Sequence, residues 1–258
     1  EYKDTIIVID CGLMFPDEGM LGIDLVIPDI SYLLKNKDKV KGIMLTHGHE
    51  DHIGSLPYVL RQINVPLYGT KLTLGLVENK LKEHTTLSDV SMNIIKPRDV
   101  VKLGDLEVEF IKTNHSIADS VGLAVHTPVG TIVHTGDLHR FAELGKKGVL
   151  VMLADSTNVE REGYSMSEST VGHNFTELFS NAKQRILVAT FASNIHRIQQ
   201  VVNASIQSGR KVAISGRSMV NVINVATELG YLDIPENVLL DIDHIDKYPA
   251  NNHYGKSG

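Results

Sequence analysis

The sequence predicts an α/β protein in two parts: a β-rich front of mixed character to about residue 160, then a doubly wound α/β stretch. Two observations carry this. In the front part, short β-branched apolar runs stop abruptly at polar or glycine-containing segments, as buried strands do. Behind it, apolar runs alternate with stretches of helical periodicity, the order that builds a parallel sheet.

Taken in order, residues 5–10 (TIIVID) read as a buried strand ending at Cys11-Gly12. A long loop follows over 19–29, near Pro16 and Pro28, and 30–34 opens a short helix. Residues 42–46 (GIMLT) form a second buried strand that runs straight into His47. Helical spacing marks 53–62 and 70–83, the latter carrying Leu72, Leu76 and Leu81, with a short strand at 65–68 between them. Residues 91–110 contain short strands, and 106–111 alternates apolar and charged side chains. Two strands, 121–127 and 130–135, flank a Pro-Val-Gly turn, and 149–154 reads as a buried strand ending at Asp155. Then come a helix over 167–182, a strand over 185–191, and a helix over 195–207 with Ile195, Ile198, Val202 and Ile206 on one face. A strand over 211–215 and a helix over 218–229, closed by Gly230, complete the alternation. The tail 251–258 (NNHYGKSG) is polar and is expected to be disordered.

Over 258 residues, 42% hydrophobic and 22% charged content is that of an ordinary globular chain. This excludes a wholly disordered chain, a collagen-like repeat and a disulfide-rich mini-domain. No apolar run reaches the roughly 20 residues of a membrane span, and EYKDTIIVID is not a signal peptide. A single cysteine, Cys11, forms no internal disulfide and fits a reducing, cytoplasmic setting. A net charge of −6 gives no global attraction to nucleic acid. The outlier is 12 histidines against 5% aromatics, and histidine is the commonest metal ligand.

The segment His47-Gly48-His49-Glu50-Asp51-His52 places four potential ligands directly after a strand. Gly48 permits a tight turn, so that His47 and His49 can point at one ion while Asp51 and His52, opening a helix, point at a second. Imidazole and carboxylate suit Zn²⁺, and a close pair of such ions makes a hydrolytic site.

This motif resembles the signature of the metallo-β-lactamase superfamily. The resemblance implies a third histidine, matched by His115 in Thr113-Asn114-His115-Ser116, and a metal-bridging aspartate, matched by Asp137 in His134-Thr135-Gly136-Asp137. Asp10 matches the family's buried aspartate that supports the ligands from behind, and His134 is a candidate for the same role. Further segments narrow the likeness: IPDISYL (27–33), THGHEDHIG (46–54), NHSIADSVG (114–122), ADSTN (154–158), ATFASNIHRIQQ (189–200) and SGRSM (215–219) resemble the bacterial ribonuclease J family of the β-CASP branch. Asp155 matches that branch's acidic motif A residue.

The fold so implied is an αββα metallo-β-lactamase sandwich, incomplete, with an inserted partial β-CASP domain. Residues 1–165 would be the first part of the sandwich and 166–250 the first part of the insert. The activity so implied is metal-dependent hydrolysis of single-stranded, preferably 5′-monophosphorylated RNA. It would proceed both 5′ to 3′ and internally, with hydroxide attacking phosphorus at a two-zinc site (Mn²⁺ is the alternative metal). Catalytic weight falls on Asp51, Asp137 and Asp155. One zinc would sit on His47, His49 and His115, and the other on Asp51 and His52, bridged by Asp137. The implied partners are RNA and either a second copy or a paralogue, with no membrane.

The sequence departs from the family in three ways. The family's first strand and Gly-rich loop have no counterpart before Glu1, a loop after Asp137 is missing, and two histidines of motifs B and C have no match. Little activity is therefore expected of these 258 residues alone. RNA contacts would need local cations among Lys183, Arg185, Arg197, Arg210, Lys211 and Arg217. Ser215, Arg217 and Ser218 could meet a phosphate where a helix starts, or Ser218 could simply cap that helix. Cys11 and His84, His126, His139, His173 and His196 read as packing or surface residues. A small-molecule hydrolase such as a lactonase or thioesterase, or a non-catalytic paralogue subunit, are the competing readings.

Overall fold

The structure, a computed structural model, describes residues 1–84, 89–113, 115, 117–134, 138–154, 160, 162–163 and 168–248. The chain forms two compact units, Glu1–Thr157 and Asn158–Gly258.

The first unit begins with β1 (Ile6–Ile9), α1 (Ser31–Lys35), β2 (Val40–Met44), α2 (Glu50–Ile53) and α3 (Leu56–Val59). It continues through β3 (Leu67–Gly69), α4 (Lys71–Glu83) and β4 (Met92–Ile94). The four strands form one parallel sheet in the order β1-β2-β3-β4. A second sheet follows from β5 (Val100–Leu103), β6 (Leu106–Lys112), β7 (Val121–Thr127), β8 (Gly130–His134), α5 (Leu138–Lys147) and β9 (Val151–Leu153). Its order is β5-β6-β7-β8-β9, antiparallel except for β8 with β9.

The alternation of β6 decides how the sheets stack. Leu106, Val108 and Phe110 point inward and, with Val121, Leu123 and Val125 of β7, meet Met44, Ile7, Ile9 and Tyr68 of the parallel sheet. The opposite face of this sheet turns Ile111, Ala124 and Val133 of β6, β7 and β8 outward, where Leu144 of α5 covers them. On the outer side of the parallel sheet α4 buries Leu72, Leu74, Leu76, Val77 and Leu81. Helix, sheet, sheet and helix thus form the αββα sandwich expected from the sequence.

The second unit contains α6 (Glu168–Asn181), α7 (Ile195–Gln207), β10 (Val212–Ala213), α8 (Arg217–Glu228) and β11 (Leu239–Leu240), with β10 and β11 parallel. Helix α7 buries Ile195, Ile198 and Val202 of the stripe its spacing predicts, while Ile206, in its last turn, is exposed. Gly230 takes φ +80 just past α8, as a C-terminal glycine does.

Four expectations fail. The helix expected over 53–62 is two short helices, because the chain turns at Gly54-Ser55 to bond the Cys11–Gly12 backbone. The strand expected over 185–191 is not formed: Leu187 is 96% and Phe191 84% exposed, and no backbone partner pairs residues 186–190 among the described residues. The segment 149–154 does yield β9, but at the sheet edge with Val151, Met152 and Leu153 all exposed rather than buried. Finally, α8 starts at Arg217 with Gly216 at its N-cap, so Ser218 lies inside the helix and does not cap it.

Candidate metal centre

The site lies at the carboxyl ends of β1, β2, β6 and β8. In the parallel sheet, β1 and β2 both end at this edge; in the other, β6 and β8 share a direction and end together. The backbone bond from Val121 N to Thr46 O (2.9 Å) joins the start of β7 to the chain just after β2. It brings the 113–120 loop, closed by Thr113 and Ser120, against the histidine turn.

After β2 the chain runs through buried Leu45 and Thr46 into His47, which is 7% exposed. His47, His49 and His115 offer one ring nitrogen each, all within 4.8 Å of one another. Ring centroids lie 4.6 Å apart for His47–His49, 4.5 Å for His47–His115 and 5.0 Å for His49–His115. His47 Nε2 and His49 Nδ1 face each other at 3.0 Å. Burial, helped by the neighbouring imidazoles, lowers the His47 pKa to about 2 and that of His49 to about 4. Both rings are therefore neutral at pH 7. Three converging imidazoles, two of them held neutral by burial, suit a divalent ion of the zinc type, so the residues present fit the metal that the motif implies.

Asp10 organises this turn. It sits in the left-handed region, φ 58, a conformation uncommon outside glycine but tolerated by aspartate. Its Oδ1 accepts the Thr46 amide at 2.8 Å, and its Oδ2 accepts Thr46 Oγ1 at 2.8 Å and His52 Nδ1 at 2.7 Å. A carboxylate only accepts, so the His52 proton sits on Nδ1 and Nε2 keeps its lone pair. Thr46 Oγ1, having given its proton to Asp10, accepts from His47 Nδ1 at 2.9 Å. The same logic leaves the His47 Nε2 lone pair aimed at His49. One carboxylate thus sets two tautomers, one directly and one through Thr46.

Two glycines allow the close packing. A Cβ on Gly12 would lie 1.6 Å from the Asp51 carbonyl oxygen, since the chain after β1 crosses directly over the α2 turn. That crossing is fixed by Cys11 N to His52 O (2.6 Å), Ser55 N to Cys11 O (2.9 Å) and Ser55 Oγ to Gly12 O (2.6 Å). Gly48 does not adopt a positive φ; what it needs is clearance, because a Cβ would meet Leu76 of α4 at 2.6 Å.

Among the residues singled out in the sequence, His47, His49 and His115 come together, with His52 3.9 Å from His47 by ring centroids. Asp51 is exposed, with Oδ2 3.6 Å from His52 Nε2. His134 ends β8, adds its charge effect to His47, and keeps Nδ1 buried without a hydrogen-bond partner among the described residues. Asp137 and Asp155 lie outside the described residues. Thr46, Gly12 and Ser55 were missed, since nothing in their local sequence marks contacts across some 40 positions; only Thr46, beside the motif, gave a hint. In the second unit, Arg210 donates to the carbonyls of Phe179, Ala182 and Gln184, Arg185 to those of Ile245 and Tyr248, and Lys211 to that of Asn237. These three cations hold the unit's own backbone. Cys11 is buried, its thiol pushed up to about 12 by burial and by Asp10, as befits a packed residue. His84 stacks edge-on with Tyr58, and His126 lies between Glu109 and Thr131 on the outer sheet face.

A four-layer αββα sandwich with clustered imidazoles at its strand ends defines a metal-hydrolase type of fold and site. The family model of the metallo-beta-lactamase superfamily matches residues 1–180, and the chain belongs to that superfamily. The model of the ribonuclease J beta-CASP domain matches residues 183–254. Ribonuclease J 2 of Staphylococcus aureus (strain NCTC 8325 / PS 47) is 42% identical over 265 residues, covering 97% of this chain and 48% of its own length. Its counterpart from Staphylococcus epidermidis (strain RP62A) gives the same identity and coverage. The chain thus spans about half the length of these curated relatives. The 265 aligned positions also exceed its own 258 residues, so the relatives carry positions that this chain lacks within the matched span. Among solved structures, a protein of unknown function from Enterococcus faecalis V583 shares the fold, with a TM-score of 0.68 at 18% identity over 97% of this chain and 71% of that one. No helix among the described residues is long and apolar enough to cross a membrane.

Proposed function

We propose that this chain belongs to a metal-dependent ribonuclease that hydrolyses single-stranded RNA, 5′ to 3′ from a 5′-monophosphate end and also internally, in RNA maturation and decay. The observation that carries the reading is the match of residues 183–254 to the ribonuclease J beta-CASP domain, in a chain whose first unit gathers three imidazoles at its strand ends. A lactonase or thioesterase has no need of that second domain. The relatives at 42% identity, both named ribonuclease J 2, support the same choice of substrate.

In this reading His47, His49 and His115 would hold one Zn²⁺, and Asp51, His52 and Asp137 would serve a second; Mn²⁺ suits the same donors. When bound, the ions would acidify water and stabilise charge on the phosphoryl oxygens. The chain's own part is positional. Asp10 keeps the His52 proton on Nδ1, Thr46 keeps that of His47 on Nδ1, and the 113–120 loop presents His115. Asp155 adds a carboxylate and His134 backs the cluster. In the second unit Arg217, with Ser215 and Ser218 at the start of α8, is the candidate phosphate contact. The protein works as a homo-oligomer or beside a paralogue. The 258 residues alone turn over slowly, because two histidines of the family's motifs have no counterpart in them.

The test loads the purified chain with zinc and offers 5′-monophosphorylated and 5′-hydroxyl RNA. About two zinc ions per chain are expected, with slow cleavage, faster on the monophosphate and lost in His49→Ala. No zinc uptake in equilibrium dialysis would sink the metal site. Hydrolysis of lactone or thioester substrates with RNA untouched would sink the substrate class. Turnover as fast as that of the longer relatives would refute the slow-fragment expectation.

A further inference from the structure

A cavity of about 150 Å³ is lined in part by Asp10, the residue that holds the metal turn through Thr46 and His52. Its walls come from five segments of the first unit: Val8 of β1, Val40 and Ile43 of β2, Ile30 and Leu33 around α1, Val59 of α3, and Ile63 and Val65 beyond it. Pro28 and Asp29, both exposed, form its outer rim. At the inner end sit Asp10 and Cys11.

The chemistry of these walls decides what the cavity takes. Both Asp10 carboxylate oxygens are already used by Thr46 and His52. Cys11 is a neutral thiol at any physiological pH, which makes it a small apolar wall. No lining atom is a buried polar group without a partner, among the described residues. A water needs two to four polar partners to be held, and the aliphatic walls offer few, so the space favours an apolar guest. An apolar cavity of this size, in another protein, binds benzene or xenon.

We propose that this cavity is a binding site for one small uncharged apolar molecule, of about the size of benzene, and that its occupancy tightens the metal site. The binding part stands on the cavity alone; the tightening rests on the metal reading above. The link is short. Asp10 and Cys11 line the cavity, Asp10 N bonds Met44 O at 2.9 Å, Cys11 N bonds His52 O, and the Asp10 carboxylate holds Thr46 and His52. A guest in contact with Val8, Asp10 and Cys11 restrains the residue that sets two ligand tautomers, which favours the metal-competent arrangement.

The experiment uses the full chain without metal and then with zinc. Benzene near aqueous saturation is expected to raise the melting temperature of the metal-free chain by about 3 °C. Xenon should give a slow-exchanging bound signal in ¹²⁹Xe NMR. Zinc affinity should rise on the order of fivefold with benzene present. Val65→Leu and, separately, Val59→Leu extend side chains into the space and should abolish the benzene shift while still folding; the xenon signal in the unmodified chain reports even if a variant fails to fold. No benzene shift and no xenon signal in the unmodified chain would overturn the proposal, as would an equal shift in both filled variants. Benzene binding with unchanged zinc affinity would overturn the tightening. Benzene binding in a chain that takes no zinc would refute the metal reading and leave the cavity standing.

Discussion

Asp10 does most at the scale of single residues, since one carboxylate on a strained backbone position holds Thr46 and His52 and, through Thr46, His47. Asp10→Asn keeps the shape but replaces one acceptor oxygen by an amide, so His52 or Thr46 loses its partner. Zinc affinity is expected to fall 10- to 100-fold, with the fold retained, by dialysis against a zinc-buffered indicator. Gly12→Ala tests the crossing of chain over turn. Its Cβ would sit 1.6 Å from a backbone oxygen that has no flexible end to move aside, so the crossing must open. A loss of about 3 kcal/mol in urea denaturation is expected; a neutral outcome would contradict the close approach. The histidines also fix a pH dependence. Unfolded imidazole titrates near 6.5, whereas burial holds His49 at about 4 and His47 at about 2. Between those values the unfolded chain binds more protons, so stability rises with pH. The metal-free chain should be at full stability above pH 6.5 and lose it progressively as the pH falls toward 4, with His47 alone continuing the loss toward 2. Urea midpoints from pH 7.5 to 4.5 check the sign. The residues that make the motif were legible because they are neighbours in sequence and each is a metal-ligand type. Thr46 and Gly12 were not, because their roles exist only once β1 lies beside β2.

At the scale of elements, legibility followed how local the determinant is. Helix α7 runs over the residues its apolar spacing marks, and Asn194 caps it by accepting the Arg197 amide. Helices α2 and α3 interrupt a stretch that looks continuous, because Ser55 spends its backbone amide and its hydroxyl on the strap at Cys11–Gly12. A strand is less local still. Residues 185–191 have the composition of one, but pairing depends on a neighbour, and only Val212–Ala213 and Leu239–Leu240 pair in that unit among the described residues. The sandwich core gives the firmest element-scale expectation. Phe110 is fully buried on β6, between the sheets, amid Val108, Val121 and Leu123. Phe110→Ala removes the largest inward side chain of that strand and is expected to cost about 3–5 kcal/mol, read from the shift in denaturation midpoint. Val151→Thr on exposed β9 should stay within about 0.5 kcal/mol, which separates the two strands of one sheet by burial alone.

For the molecule as a whole, two compact units and one imidazole cluster make a specific forecast for metal removal. Among the described residues, the groups able to gather on a metal lie in Glu1–Thr157, and none lies in the second unit. Zinc that binds only the folded first unit stabilises that unit by mass action, about 3–4 kcal/mol at 100 to 1,000 times its dissociation constant. The second unit, lacking such a cluster, gains nothing directly. Its cations Arg185, Arg210 and Lys211 are tied to its own carbonyls, so its stability is set by that backbone and by the α7 and α8 faces. Calorimetry with zinc and then with a chelator should therefore move one transition and leave the other in place. The moving transition should be the one that Phe110→Ala also lowers, since that residue belongs to the sandwich. A chelator effect on the other transition alone would put the metal in the wrong unit. No effect on either would mean that the imidazoles, though converging, do not hold an ion in the folded chain.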